Sequence, residues 1–420
     1  MRTNVEYMLA ARTARHDRGS RAGAIMRIAV ASVALGVAVM ILTLGVVSGF
    51  RREIADDLRG LAGDIQVSGI AGAWNADSDP LPVSETLLES LRRCDRVVSA
   101  VPYAVAGCMA KSGDRVTGLR IKGVGEGFDG AWWRAHLVEG ELPAAGGEVR
   151  SKDLLISRTT ARSLRVGVGD KVEALFVDEG DVPHRDRYRV SGIYHTGLEE
   201  LDGVTALADL RDVRKSVGWS EDLITGYEIV LDRPDRADEA AGEIDALIDD
   251  VFYGGDESAG ACMAVTLEMR YPVMYDWLKA HAVNARVIIA IMMIVALFNM
   301  TSAMLIMVLD RTGMIGTLKA AGMRNAAIRR IFLWRAAMLF VRGAAWGNAV
   351  GLGLAAVQIL FRPVTLNPSG YMLSVLPVRV EAWWWAALNA GALAVAVAAM
   401  WLPSAIVARI SPEESLKYKQ

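Results

Sequence analysis

Five histidines, three cysteines and one acidic cluster are the residues of this chain with the most accessible chemistry, and their spacing assembles none of it. His16, His136, His184, His195 and His281 are scattered, whereas zinc ligands recur at tighter spacing. His184 and His195 would have to approach across a hairpin. Glu199, Glu200 and Asp202 follow Thr196-Gly197 and read as a solvated turn in preference to a metal loop. No G-x-S-x-G or H-E-x-x-H motif occurs. A P-loop cradles phosphates on backbone N–H groups and reaches them with a lysine. The nearest glycine pair, Gly316 and Gly322, has the wrong spacing and no following Lys-Ser/Thr. The sequence therefore points to no catalytic residue, no metal site and no cofactor held by this chain. Cys94, Cys108 and Cys262 are too few for a disulfide framework. Cys94 and Cys108 are open to pairing in an oxidising compartment, or all three to burial as small side chains.

With catalysis set aside, the distribution of charge carries the argument. The chain is 53% hydrophobic, and its net charge of −2 hides a split. Residues 51–286 hold 28 Lys/Arg and 42 Asp/Glu, a balance of −14; the rest holds 18 and 6, a balance of +12. An acidic middle between basic, apolar ends describes an aqueous domain held by a membrane module. The basic residues are mostly adjacent to apolar runs, which speaks for orientation in a membrane and against nucleic-acid binding.

Four apolar runs are candidate spans: 28–50, 287–309, 336–361 and 382–408. About 20 apolar residues cross a bilayer, so each suffices. The first is too long for a signal-peptide core and reads as a retained signal anchor. The third contains Arg342, expected within two turns of the interface, where its side chain reaches the headgroups. Arg2, Arg12, Arg15, Arg18, Arg21 and Arg27 place segment 1–27 in the cytoplasm, as do six basic residues against one acid in 310–335. The outer connector 362–381 then shares a side with domain 51–286, and the tail 409–420 is cytoplasmic. Trp383, Trp384 and Trp385 open the fourth run as an outer aromatic belt. Gly343, Gly347 and Gly351 repeat at four-residue spacing, as do Gly45 and Gly49; such rows let helices pack closely, within a bundle or across a dimer seam.

The domain 51–286 mixes helical and strand patterns. Glu53–Leu61, Ser84–Cys94, Asp153–Leu164 and Ala237–Val251 read as helices; Leu119–Gly123, Lys171–Val177 and Arg187–Tyr194 alternate as strands. The expected fold is a four-helix membrane protein with a large extracytoplasmic α+β domain, in two lobes, inserted between the first and second spans. Segment 310–335 is too apolar for a free loop. Met314, Ile315, Leu318 and Ala321 share a helical face, with Gly322 placed to end the helix. Such a helix needs headgroups or a protein to cover its apolar side.

Several separated motifs resemble the FtsX/MacB-like permeases, and most closely those of the LolC/LolE type. They are Gly36–Ile41 with Val47–Ile54, Tyr188–Tyr194 with Thr196-Gly197 and Leu201-Asp202, Ile315–Met323, Tyr371 with Pro377-Val378, and Pro403 with Ser411–Tyr418. Gly313, Met314 and Arg335 depart from the family pattern, which favours acidic residues there. The resemblance implies a multi-pass protein of the bacterial inner membrane, N-in and C-in, with its large domain in the periplasm. ATP and Mg would be bound by a separate cytosolic ABC ATPase dimer. Met314, Ile315, Leu318, Lys319, Gly322, Met323 and Arg324 would form the coupling surface. A second copy or a paralogue would be the membrane partner, with lipids around it. Lipoprotein cargo and a periplasmic carrier would follow. FtsX-like signalling to a cell-wall hydrolase and MacB-like export of peptides or drugs are the alternatives.

Overall fold

The structure, a computed structural model, describes Met8 and residues 21–69, 80–146, 150–176, 184–260, 262–367 and 373–404. Tyr371 and Ser411–Tyr418, singled out above, lie outside them. The chain divides into a helical unit (Met1–Arg51, Trp277–Val364 and Leu376–Gln420) and an outer unit (Arg52–Asp276 and Thr365–Val375). The segment 365–375, expected to be a plain connector, thus belongs to the outer unit, where Thr365 and Val375 form an antiparallel bridge.

In the helical unit, the helices outrun the apolar runs that announced them. Run 28–50 lies in Arg21–Ala62, 287–309 in Pro272–Asp310, and 336–361 in Asn325–Phe361. These three are long and apolar enough to cross a membrane. The fourth run forms the apolar helix Ala382–Ser404. Each extension has a local cause. The expected separate helix Glu53–Leu61 is continuous with the first, because no proline or left-handed residue intervenes before Gly63, which takes φ +71 and donates to the Arg59 carbonyl. Pro272 starts the second helix, since proline's fixed φ suits the first helical position. The arginines of 325–335 interrupt the apolar run without interrupting the third helix, since arginine is a good helix former.

The outer unit is built on strands β1 (Ile65–Gly69), β2 (Leu81–Pro82), β3 (Val97–Ser112), β4 (Arg115–Val124), β5 (Leu137–Gly140), β6 (Asp153–Ser157), β7 (Lys171–Phe176), β8 (His184–Tyr194), β9 (Thr205–Asp209), β10 (Leu223–Ile224), β11 (Gly226–Leu231) and β12 (Cys262–Thr266). Ten of them form one sheet, ordered β12-β1-β11-β3-β4-β9-β6-β8-β5, with β7 pairing both β3 and β8. The pairs β3-β4-β9-β6-β8-β7-β3 therefore close into a ring. The long β3 joins two cores. Its first half pairs β11 beside a core of Ile65, Val67, Leu87, Leu91, Ile229 and Ile244; its second half lies in the ring, whose core holds Ala106, Ile121, Ile156, Phe176, Tyr188 and Val190. The two expected lobes are thus two cores sharing one sheet.

Ser84 caps helix Glu85–Arg93, accepting from the Leu87 N–H, and Ala237–Tyr253 is helical as its pattern requires. Asp153–Leu164 is not one helix. Asp153–Ser157 is a fully buried strand, whose continuous apolar run carries no alternation to announce it, and Ser157 then caps helix Arg158–Leu164. His184 and His195 do not face each other: they flank the eleven-residue β8, roughly 35 Å apart at strand rise.

Candidate functional site

Among the described residues, no group of three His, Cys, Asp or Glu side chains is placed to hold a metal ion. The acidic cluster after Thr196-Gly197 is not a solvated turn throughout. Asp202 is fully buried and accepts from the Thr196 hydroxyl at 2.7 Å and the Thr196 N–H at 3.2 Å, with His195 Nδ1 at 3.1 Å. It staples the loop from within, leaving Glu199 and Glu200 exposed. The three cysteines are free, Cys94 and Cys108 included. Burial pushes the Cys108 thiol up to about 12 and the Cys262 thiol up to about 11, so neither supplies a thiolate nucleophile at neutral pH.

The outer unit holds its polar chemistry in buried pairs. Lys122 and Glu228 are both buried and hydrogen-bonded, and Lys122 Nζ also donates to the Leu61 carbonyl at 2.5 Å. Burial raises the Glu228 carboxyl above its ordinary value, against the pull of Lys122. Their positions on β4 and β11 are strand-interior, so a sequence pattern offers no sign that they meet.

In the helical unit the functional candidates are joints. The glycine row packs within the chain. A Cβ at Gly343 would lie 2.7 Å from Val33 Cβ, one at Gly347 2.6 Å from the Ala34 carbonyl oxygen, and one at Gly351 3.2 Å from Ala38 Cα. The first and third long helices thus touch along their backbones, and this row is occupied without a second protomer. At the other end of the first span, Gly45 and Gly49 lie under the connector. The Arg379 N–H donates to the Gly45 carbonyl at 2.9 Å, and a Cβ at Gly49 would stand 2.5 Å from the Pro377 carbonyl oxygen. The structure therefore brings together the first-span motif and Pro377-Val378, more than 300 residues apart in sequence.

Polar side chains tie the remaining helices. Asn348 and Asn389 exchange amide hydrogen bonds of 2.8 and 3.1 Å, and Trp385 Nε1 donates to Asn348 Oδ1 at 2.5 Å. Asn299 donates to Ser32 Oγ. Gln358 bonds the Val364 N–H and carbonyl and the Leu376 carbonyl, closing the base of the connector. Glycine spacing alone missed these links; a lone Asn or Gln in an apolar run is the signal that would have found them.

The segment after the second long helix forms helix Thr312–Ala320. It ends on Gly322 at φ +83, with the Met323 N–H donating to the Leu318 carbonyl, the glycine-dependent Schellman closure. Its apolar face does not wait for a partner. Ile315 is 0% exposed and belongs to the unit's own core with Met304, Val308, Ile328 and Phe332, while Met314, Leu318 and Met323 pack partly buried against it. The apolar area of Ile315, expected on the coupling surface, is covered by its own unit. The outward stripe is Gly313, Thr317 and Ala320, followed by exposed Ala321, Gly322 and Arg324; Lys319 is half-buried.

A sheet-based outer unit inserted into a bundle of long apolar helices, with a short helical turn after the second, defines a permease-type membrane subunit. Two family profiles describe it: the MacB-like periplasmic core domain matches residues 27–247 and the FtsX-like permease C-terminal domain residues 286–412. The chain belongs to the FtsX/MacB-like permeases. It is similar to the lipoprotein-releasing system transmembrane protein LolC of Xylella fastidiosa (25% identity, covering 95% of this chain and 96% of that one). It also resembles LolE of Haemophilus influenzae (24%; 96% and 97%). Among solved structures, the periplasmic region of MacB from Actinobacillus actinomycetemcomitans matches at TM-score 0.34 and 10% identity, covering 53% of this chain and 97% of that chain.

Proposed function

We propose that this chain is the permease subunit of an ABC-type complex that releases lipoproteins from the bacterial inner membrane, driven by ATP hydrolysis in a separate cytosolic ATPase dimer. The observation that carries the reading is the end-to-end match to LolC and LolE permeases, which spans both units and not the outer domain alone. The chain crosses the membrane four times, with both ends inside and the outer unit in the periplasm. A second copy or a paralogue completes the permease, and a periplasmic carrier receives the cargo.

The ATPase docks on the outward stripe of helix Thr312–Ala320, with Thr317 central and Arg324 at the rim. The buried Ile315 transmits the push into the helical core, because close-packed interiors deform little under load. Depletion of the chain in cells is the test. Lipoproteins should accumulate in the inner membrane, and Thr317→Arg should abolish rescue and ATPase co-purification while the chain still inserts. Unchanged lipoprotein distribution on depletion sinks the reading.

A further inference from the structure

The four-residue row that carries Gly351, Gly347 and Gly343 continues toward the helix N-terminus as Leu339 and Arg335. Glycine allows backbone contact with the first helix; leucine and arginine do not. Where the row changes character, a cavity of about 480 Å³ lies between the first and third long helices. Three guanidinium side chains line it: Arg27 from the first helix, and Arg335 and Arg342 from the third. Arg335 is only 4% exposed, while Arg27 and Arg342 are exposed. Among the described residues, no acidic side chain lines the cavity. Its remaining wall is apolar, including Val30, Ala34 and Trp346.

We propose that this groove binds an anionic phospholipid, its phosphate held by the three arginines and an acyl chain laid along Val30, Ala34 and Trp346. Among the described residues, the charge lining the groove is positive and concentrated. Arg335 and Arg342 are two turns apart on one side of their helix, about 10 Å along its axis, with Arg27 across the groove. Arginine offers a planar fork of donors matched to phosphate oxygens. Free phosphate would satisfy the arginines but has no use for an apolar wall, whereas a phospholipid fills both halves of the site. Basic pockets between membrane helices near the cytoplasmic face suit anionic headgroups. This assignment rests on the membrane-embedded, N-in reading and not on the cargo or the ATPase.

The test is native mass spectrometry on the delipidated full-length chain, titrated with phosphatidylglycerol or phosphatidylcholine. Wild type should retain phosphatidylglycerol at least tenfold more tightly than phosphatidylcholine. Arg27→Gln/Arg342→Gln, a double change at exposed positions, should erase that preference without lowering Tm. Arg335→Gln should do the same if it folds, and the double variant decides the matter if it does not. Equal retention of the two lipids by wild type, or an unchanged preference in the double variant, overturns the proposal. So does displacement of phosphatidylglycerol by millimolar inorganic phosphate, which would mark a simple anion site. Loss of ATPase association in the double variant with lipid retention intact would reassign the arginines to protein docking. If the ATPase never associates with the wild-type chain while lipid selection holds, the functional reading fails and this one stands.

Discussion

The outer and helical units both bury aliphatic cores, but they differ in how closely their elements approach and in what they leave exposed. The outer unit hides Leu, Ile and Tyr in two dense cores, buries Trp133 beside Tyr194, and keeps charge on its surface or in buried pairs. The helical unit buries methionines together with Val37, Ile328 and Phe332, sets Gly343, Gly347 and Gly351 against the first helix, and leaves Leu35, Phe298, Trp346, Leu360 and Phe361 exposed. In water, burial of large apolar side chains drives folding. In lipid that gain vanishes, and cohesion comes from close backbone approach and a few polar links. The glycine row thus adds to the helical unit a backbone contact that the sheet-based cores of the outer unit do not use.

The largest expected effect would break the outer unit. Lys122→Met leaves Glu228 buried without its cation, a loss of about 3–5 kcal/mol. Thermal unfolding should show an early transition, and Lys122→Met/Glu228→Leu should recover much of it. Next comes the core of the helical unit. Ile315→Ala should cost about 2–5 kcal/mol as a cavity mutation, visible as a lower Tm in detergent; an unchanged Tm would return Ile315 to the surface. The glycine seam ranks third. Gly347→Ala should cost about 1–3 kcal/mol by overpacking. Gly353→Ala, on the same helix with nothing within 4 Å of its Cβ, should be neutral or slightly stabilising. Equal effects at the two positions would dissolve the distinction between seam and lipid face.

The smallest effect is set by pH. Burial would raise the Asp186 carboxyl, but hydrogen bonds from Lys152, the Arg187 N–H and Ser216 outweigh it and hold it below its ordinary 3.8. A depressed carboxylate contributes stability above the unfolded-state value and loses it as pH falls through the folded value. Asp186→Asn should therefore weaken the outer unit at neutral pH and narrow its gap from wild type below about pH 4, followed by tryptophan fluorescence.

Much of this was legible in the residues. Apolar run length located the long helices, the Ser84 cap and amphipathic spacing marked two outer helices, and Gly322 marked the end of helix Thr312–Ala320. The misses share a cause. The arginines of 325–335 concealed a helix because hydropathy is not helix propensity. Asp153–Ser157 concealed a strand because a doubly buried strand has no alternation. The neighbours that cover Ile315 were likewise hidden, because an apolar stripe records that burial is needed and not which surface supplies it.

The sequence by itself determined the periodicities and the charge asymmetry, since these depend on neighbours within a few residues. Only the tertiary structure decided the partners. It set Gly347 against Ala34, Gly49 under Pro377, Lys122 beside Glu228, and Arg335 across a cavity from Arg27. Such pairings join positions more than a hundred residues apart. Local patterns say which face must be covered; what covers it is fixed by the one chain path that packs every such face at once.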